Sequence, residues 1–129
     1  MGLDMYAWRV KAEDAIGDFE IARNEEDSAK VEEMHYWRKH HDLHGWMERL
    51  YRLKGGTKAT FNCVPVQLSM YDLNALENDV LNNLLPETQG FFFGVNPPDD
   101  YSKNQDMEFI AKAKVAISMG DAVYYDSWW

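Results

Sequence analysis

Tyr36-Trp37-Arg38-Lys39-His40-His41-Asp42-Leu43-His44-Gly45-Trp46-Met47-Glu48-Arg49-Leu50-Tyr51-Arg52-Leu53-Lys54-Gly55-Gly56 carries the clearest periodic signal in the chain. At about 100° per residue, Tyr36, His40, Leu43, Met47, Leu50 and Tyr51 fall on one face. Trp46 and Leu53 flank that face on one side, and Trp37 and His44 on the other. Arg38, Asp42, Arg49 and Arg52 lie opposite. The spacing predicts a helix that begins between Ser28 and Tyr36 and runs to Lys54. Gly55-Gly56 stops it, because glycine enters the left-handed conformation that closes helix ends without a Cβ clash.

Working outward toward the N-terminus, residues 11–30 are the most polar part of the chain and read as a solvated loop, with a short strand at Phe19 and Ile21. Residues 3–10 read as a strand covered on both faces, since Leu3, Met5 and Ala7 alternate with Tyr6, Trp8 and Val10. Toward the C-terminus, residues 59–68 read as a strand that Pro65 confines to an edge or bulge. Ser69 has the character of an N-cap, with Asp72 in the capping-box position. Leu73, Leu76, Val80, Leu81 and Leu84 then form a helical stripe, and Pro86 stops it. Phe91-Phe92-Phe93, between Gly90 and Gly94, reads as a short central strand, and residues 96–100 as a rigid loop. A third helix is predicted over residues 102–119, with Met107, Ile110, the Lys114 stem and Ile117 on one stripe and Gly120 ending it. Residues 122–128 make a final strand. Helices and strands do not alternate as βαβ units. The predicted fold class is therefore α+β: one domain of residues 1–129, with a small, mainly antiparallel sheet packed against about three helices.

Composition adds two constraints. Five Trp, seven Tyr and six Phe are many for 129 residues. Such rings dominate both cores and contact surfaces, so this density predicts an exposed aromatic patch. Thirteen basic against 22 acidic residues give a formal net charge of −9. Proteins that grip phosphate backbones carry a positive excess, so direct nucleic-acid binding is disfavoured. The acidity serves solubility, and it also suits the basic groove of a nucleic-acid-binding protein. Cys63 is the single cysteine, which rules out an intramolecular disulfide and fits a reducing compartment. The opening residues lack the pattern of a signal peptide, and Tyr6 stands where myristoylation requires Ser or Thr. No apolar run approaches the ~20 residues of a membrane span.

Three groups of residues are candidates for function. All four histidines lie within residues 35–44, and His40 and His44 are spaced to share a helical face. Glu48 continues that row one turn on, and two imidazoles so placed can hold a metal if a residue from elsewhere, such as Asp4 or Asp72, supplies a third ligand, although residue 41 is His and the His-Glu-x-x-His pattern fails. The plainer reading of His40 and His44 is a hydrogen-bonded rim of the core. Tyr36-Trp37-Arg38-Lys39 sets two aromatics beside two cations. That is half of a pocket for a small, planar, anionic ligand such as a nucleotide, or a core-anchored pair with a solvated edge. Trp128 and Trp129 close the aromatic segment Tyr124-Tyr125-Asp126-Ser127-Trp128-Trp129, and such rings are favoured anchors of protein interfaces. Cys63, Ser69 and Ser127 lie in no recognisable nucleophile motif. Gly90 to Gly94 is neither a P-loop nor a dinucleotide fingerprint, so no cofactor is expected.

The opening Met1-Gly2-Leu3-Asp4-Met5-Tyr6, the Tyr36-Trp37-Arg38-Lys39 run followed by His44 and Trp46, the Gly90-Phe91-Phe92-Phe93-Gly94 run and the closing Tyr125-Asp126-Ser127-Trp128 occur in this order over nearly the whole length. Together they resemble a family of small proteins of tailed phages and prophages. His40-His41 departs from that family's pattern. A phosphoglycerate-kinase label borne by some members does not suit a chain this short with no nucleotide motif. The resemblance implies an accessory protein in the cytoplasm of the infected host cell. It would be a non-enzymatic binder that modulates a host protein or sequesters a small anionic ligand through Tyr36, Trp37, Arg38, Lys39, His40, His44, Trp128 and Trp129. The rival readings are a metal-dependent enzyme acting on a phosphorylated small molecule, with His40 and His44 as ligands, and a minor structural protein of the virion.

Overall fold

The computed structural model describes residues 2–22, 31–86 and 100–129, with side chains from Ser102 onward in the last range. The expected Phe91-Phe92-Phe93 strand, the loop over residues 96–99 and any helix start near Ser28 lie outside the described residues.

Four antiparallel strands form the main sheet. The two central ones are β1 (Asp4–Val10) and β6 (Ala122–Trp128), the latter with the bounds expected from the sequence. β4 (Glu32–Arg38) lies outside β1, and the short β5 (Val66–Leu68) outside β6. A 3-10 turn (Ala12–Asp14) leads from β1 into a small separate hairpin of β2 (Ala15–Gly17) and β3 (Glu20–Ile21). Three helices, α1 (His41–Leu53), α2 (Met70–Leu81) and α3 (Asp100–Ser118), complete an α+β fold.

β4 overturns the expected start of the first helix. Residues 32–38 pair with β1 in the register Asp4↔Arg38, Met5↔Trp37, Tyr6↔Tyr36 and Ala7↔His35. His35 and Trp37 are buried, whereas Tyr36 and Arg38 are exposed, which is a period of two rather than 3.6. Aromatic residues fit a pleated surface well, and here cross-strand partners decide the outcome over a helical spacing that the same rings also satisfy. Lys39 takes a left-handed φ of 59° and ends the strand, its N–H donating to the Leu3 carbonyl at 2.8 Å. The helix starts only at His41. A bulge adds Met34 to β4, so that Glu33 stands opposite Trp8.

Burial also rotates two helices relative to expectation. On α1, His41, Leu43, His44, Trp46, Met47 and Tyr51 face inward and Leu53 faces solvent. On α3 the buried stripe is Asp106, Phe109, Ile110, Ala113 and Ala116, while Lys114 reaches out to Glu77 at 3.0 Å. Leu43, Trp46, Met47 and Tyr51 of α1 and Phe109, Ile110, Ala113 and Ala116 of α3, with Leu73, Leu76 and Val80 of α2, form one core with Leu3, Met5, Ala7, Trp37, Val66, Leu68, Val123 and Tyr125 of the sheet.

The helix ends follow local chemistry closely. Ser69 and Asp72 exchange both bonds of a capping box, at 3.1 and 2.9 Å. Asp72 also receives the Lys54 ammonium at 2.7 Å, tying the end of α1 to the start of α2. All three helices close with the paired backbone bonds of a Schellman motif. The left-handed residue is Gly55 after α1, Asn83 after α2 and Gly120 after α3. Thus Asn83, not Pro86, stops α2.

Among the described residues, the second sheet face is covered at one end. There the β2–β3 hairpin lies over Val10, Ala122 and Tyr124, with Ile21 in contact. The Tyr124 hydroxyl donates to the Gly17 carbonyl at 2.6 Å. At the other end stand Asp4, Tyr6, Tyr36, Asp126 and Trp128. Among the described residues no helix is long and apolar enough to cross a membrane.

Candidate functional site

β4 has two sides, and its alternation sends neighbouring residues into different settings. Inward, Trp37 is 5% exposed and meets Phe109 edge-on, with 4.8 Å between ring centroids. Its indole N–H donates to Asp106 Oδ1 at 3.1 Å, and the other oxygen of the same carboxylate meets His40 Nε2 at 2.8 Å. Asp106 is 1% exposed. Burying a carboxylate is costly unless both oxygens are satisfied, and Trp37 and His40 satisfy them. Asp106 was missed by sequence reasoning. The available signal was its place in register with Phe109, Ile110 and Ala113 on an apolar stripe.

Beside this network Tyr36, Trp37, Arg38, His40, Ser102 and Gln105 line a cleft of about 290 Å³. Four of the eight expected site residues thus meet in one place. A guanidinium, an imidazole, a hydroxyl and an amide next to aromatic walls are groups that hold a small anion. The volume is near the lower end for a small-molecule site, about 300 Å³. An adjoining space of about 50 Å³, lined in part by His40, Ser102, Lys103 and Asp106, has room only for water.

His44 belongs elsewhere. It is 2% exposed, and its Nδ1 lies 2.7 Å from the Tyr125 hydroxyl. Desolvation pushes its pKa down to about 4, with His41 adding to the effect. Burial likewise holds the Tyr125 phenol protonated, its pKa well above the usual value. Tyr125 therefore donates and neutral His44 accepts. His40, one residue before α1, turns to Asp106 instead, so the two rings expected on one face serve different partners. The expected third ligands are also engaged, Asp4 with Tyr36 and Asp72 with Ser69 and Lys54, and Glu48, next on the row, pairs with Arg52. No three His, Cys, Asp or Glu side chains converge as a metal site among the described residues.

The two terminal tryptophans separate as well. Trp129 is a tether: its backbone exchanges hydrogen bonds with the Asn62 side chain, and its indole N–H donates to the Phe61 carbonyl at 3.0 Å. Trp128, on β6, is 65% exposed. It stands across from Asp4 on the end of the sheet away from the hairpin, and the neighbouring row is Tyr36, Tyr6 and Asp126. Tyr6 stacks on Trp8 at 5.3 Å and leans against Tyr36 at 5.4 Å. The Tyr36 hydroxyl donates to Asp4 at 2.5 Å, and this bond raises the Tyr36 pKa. The Tyr6 pKa is raised by desolvation first and then by Asp4, Glu33 and Asp126. Three carboxylates therefore surround these rings, while Arg38 lies at the corner shared with the cleft. Lys39, at the turn beyond, is exposed.

No family model, curated protein or solved structure matches the chain.

Proposed function

We propose that this protein is a non-enzymatic binder that modulates a partner protein, with the end of its sheet away from the hairpin as the docking face. One observation carries the reading. Tyr36 and Trp128 stay 44% and 65% exposed on the sheet face that carries Tyr6. Rigid aromatic side chains lose little entropy on binding and recur as interface anchors. The likeness of the sequence to small tailed-phage proteins supplies the setting, the cytoplasm of an infected host cell with a host protein as partner. The test is affinity capture from infected cells with wild type and Trp128→Ala as paired baits. A host protein retained by wild type and lost from the variant is the expected result. Equal recovery by both baits overturns the reading.

The cleft supports a second reading, sequestration of a small anionic ligand such as a nucleotide, because Arg38, His40, Ser102 and Gln105 line it together. Calorimetric titration with inorganic phosphate and nucleoside phosphates tests it. Saturable binding that Arg38→Ala removes supports the cleft, and absence of heat with every probe overturns it.

A further inference from the structure

The chemistry of the docking face selects among protein partners. Its rings are Tyr6, Tyr36 and the exposed Trp128, placed in adjacent rows by the pairing of β4, β1 and β6. Asp4 shares the row of Trp128, Asp126 shares the row of Tyr6 and Tyr36, and Glu33 stands opposite Trp8 in the next row. Asp4 and Asp126 are half-buried between the rings, and Glu33 is exposed at the edge of the sheet. Against these three carboxylates, the cation among the described residues of these rows is Arg38, at the corner of the face.

We propose that this face docks a basic segment of the partner, seating an arginine or lysine side chain against Tyr6, Tyr36 and Trp128 with its charge among Asp4, Asp126 and Glu33. The proposal rests on the protein-binding reading above and adds the class of partner. Aromatic faces carry a negative quadrupole that attracts guanidinium and ammonium groups, and adjacent carboxylates reinforce it. The net charge of −9 steers a basic partner over longer range. The same chemistry argues against other occupants. A second copy meeting this face about a two-fold axis would set carboxylates against carboxylates. An anionic membrane surface would be repelled.

Fluorescence anisotropy with three labelled peptides of equal length tests the idea: one arginine-rich, one lysine-rich and one glutamate-rich, each spaced by Gly and Ser. The expected result is saturable binding of the two basic peptides, weakened by added salt, and none of the acidic one. Tyr36→Ala and Trp128→Ala should each weaken binding by about fivefold or more. Two double variants separate local from global charge. Glu33→Gln with Asp126→Asn neutralises the face, and the amide introduced by the second change keeps an acceptor oxygen for the Ser127 N–H. Glu48→Gln with Glu77→Gln makes the same charge change on α1 and α2, across the sheet. The first pair should weaken binding about tenfold, by loss of two charge-assisted contacts. The second should leave it within about twofold.

Equal losses in the two double variants, or no loss in the ring variants, would reduce the effect to bulk charge and overturn the proposal. So would failure of both basic peptides to bind at millimolar concentration. If the ring variants lose the captured host partner while neutralising the face changes nothing, the docking face stands and its preference for cations falls. A dimer in sedimentation that Trp128→Ala dissolves would assign the face to a second copy instead. A thermal melt of each variant, matching wild type, guards against reading a folding defect as a binding defect.

Discussion

Trp37 and Tyr36 are neighbours on one strand and meet opposite fates. Trp37 points under the helices, where its ring packs on Phe109 and its N–H is held by a buried carboxylate. Tyr36 points the other way, into an aromatic row that no described helix covers. The contrast extends to the two sheet faces. The helix-covered face is apolar and its polar atoms mostly close on one another, as in Tyr125 with His44 and Trp37 with Asp106. The opposite face is closed by the hairpin at one end and, among the described residues, left open at the other, where its rings are interleaved with Asp4, Asp126 and Glu33. Packing accounts for the apolar side chains of the first face. The open end is the face proposed above for docking, with large rings standing partly in water beside carboxylates.

Substitution should break this contrast in a graded way. The largest effect belongs to the covered face. Phe109→Ala removes a fully buried ring that touches both Trp37 and His35, and should cost about 4 kcal/mol in urea unfolding. Acid comes next. With the His44 pKa lowered from 6.5 to about 4, the unfolded chain binds the extra proton in that interval. The stability from keeping His44 neutral is complete above pH 6.5 and is lost as pH falls toward 4, a total of roughly 3 kcal/mol, of which about 2 is gone at pH 5. Burial lowers the His35 and His41 values too, which adds in the same direction. Urea midpoints between pH 7.5 and 5 should show the slope, and His44→Gln should flatten it. The hairpin-covered end is intermediate. Tyr124→Phe deletes the bond to the Gly17 carbonyl and should cost about 1 kcal/mol, with faster exchange of the hairpin amides. Trp128→Ala on the open end should change the unfolding free energy by less than about 0.5 kcal/mol. A cost of several kcal/mol there would mean that Trp128 is structural and would erase the distinction between the faces.

The sequence was legible where local rules decide the outcome. The capping box at Ser69 and Asp72, the glycine stops at Gly55 and Gly120 and the span of β6 all read directly from short-range chemistry. It misled at β4, because Tyr36 and Trp37 satisfy a helical spacing while the pairing that makes them a strand comes from β1, some thirty residues away. The candidate site was half legible for the same reason. Arg38 and His40 were recognisable as polar groups near aromatics. Asp106, which joins Trp37 to His40, comes from a helix with no motif around it. His40 and His44 looked equivalent by spacing, yet His40 falls just outside α1 and turns away. Trp128 and Trp129 are one residue type at adjacent positions. Only the strand that ends between them sends one to solvent and the other to Asn62.

The order of strands also bears on how quickly the molecule reaches this state. The two central strands, β1 and β6, are distant in sequence, and Arg9 and Asp121, which bridge their ends at 2.6 Å, lie 112 positions apart. That loop must close before the main pairing yields any gain, so local helices cannot by themselves set the pace. Refolding should run on the millisecond-to-second scale of sheet proteins rather than in microseconds. Until β6 arrives, the row of Leu3, Met5 and Ala7 lacks its central neighbour, and in that interval the protein is most exposed to self-association.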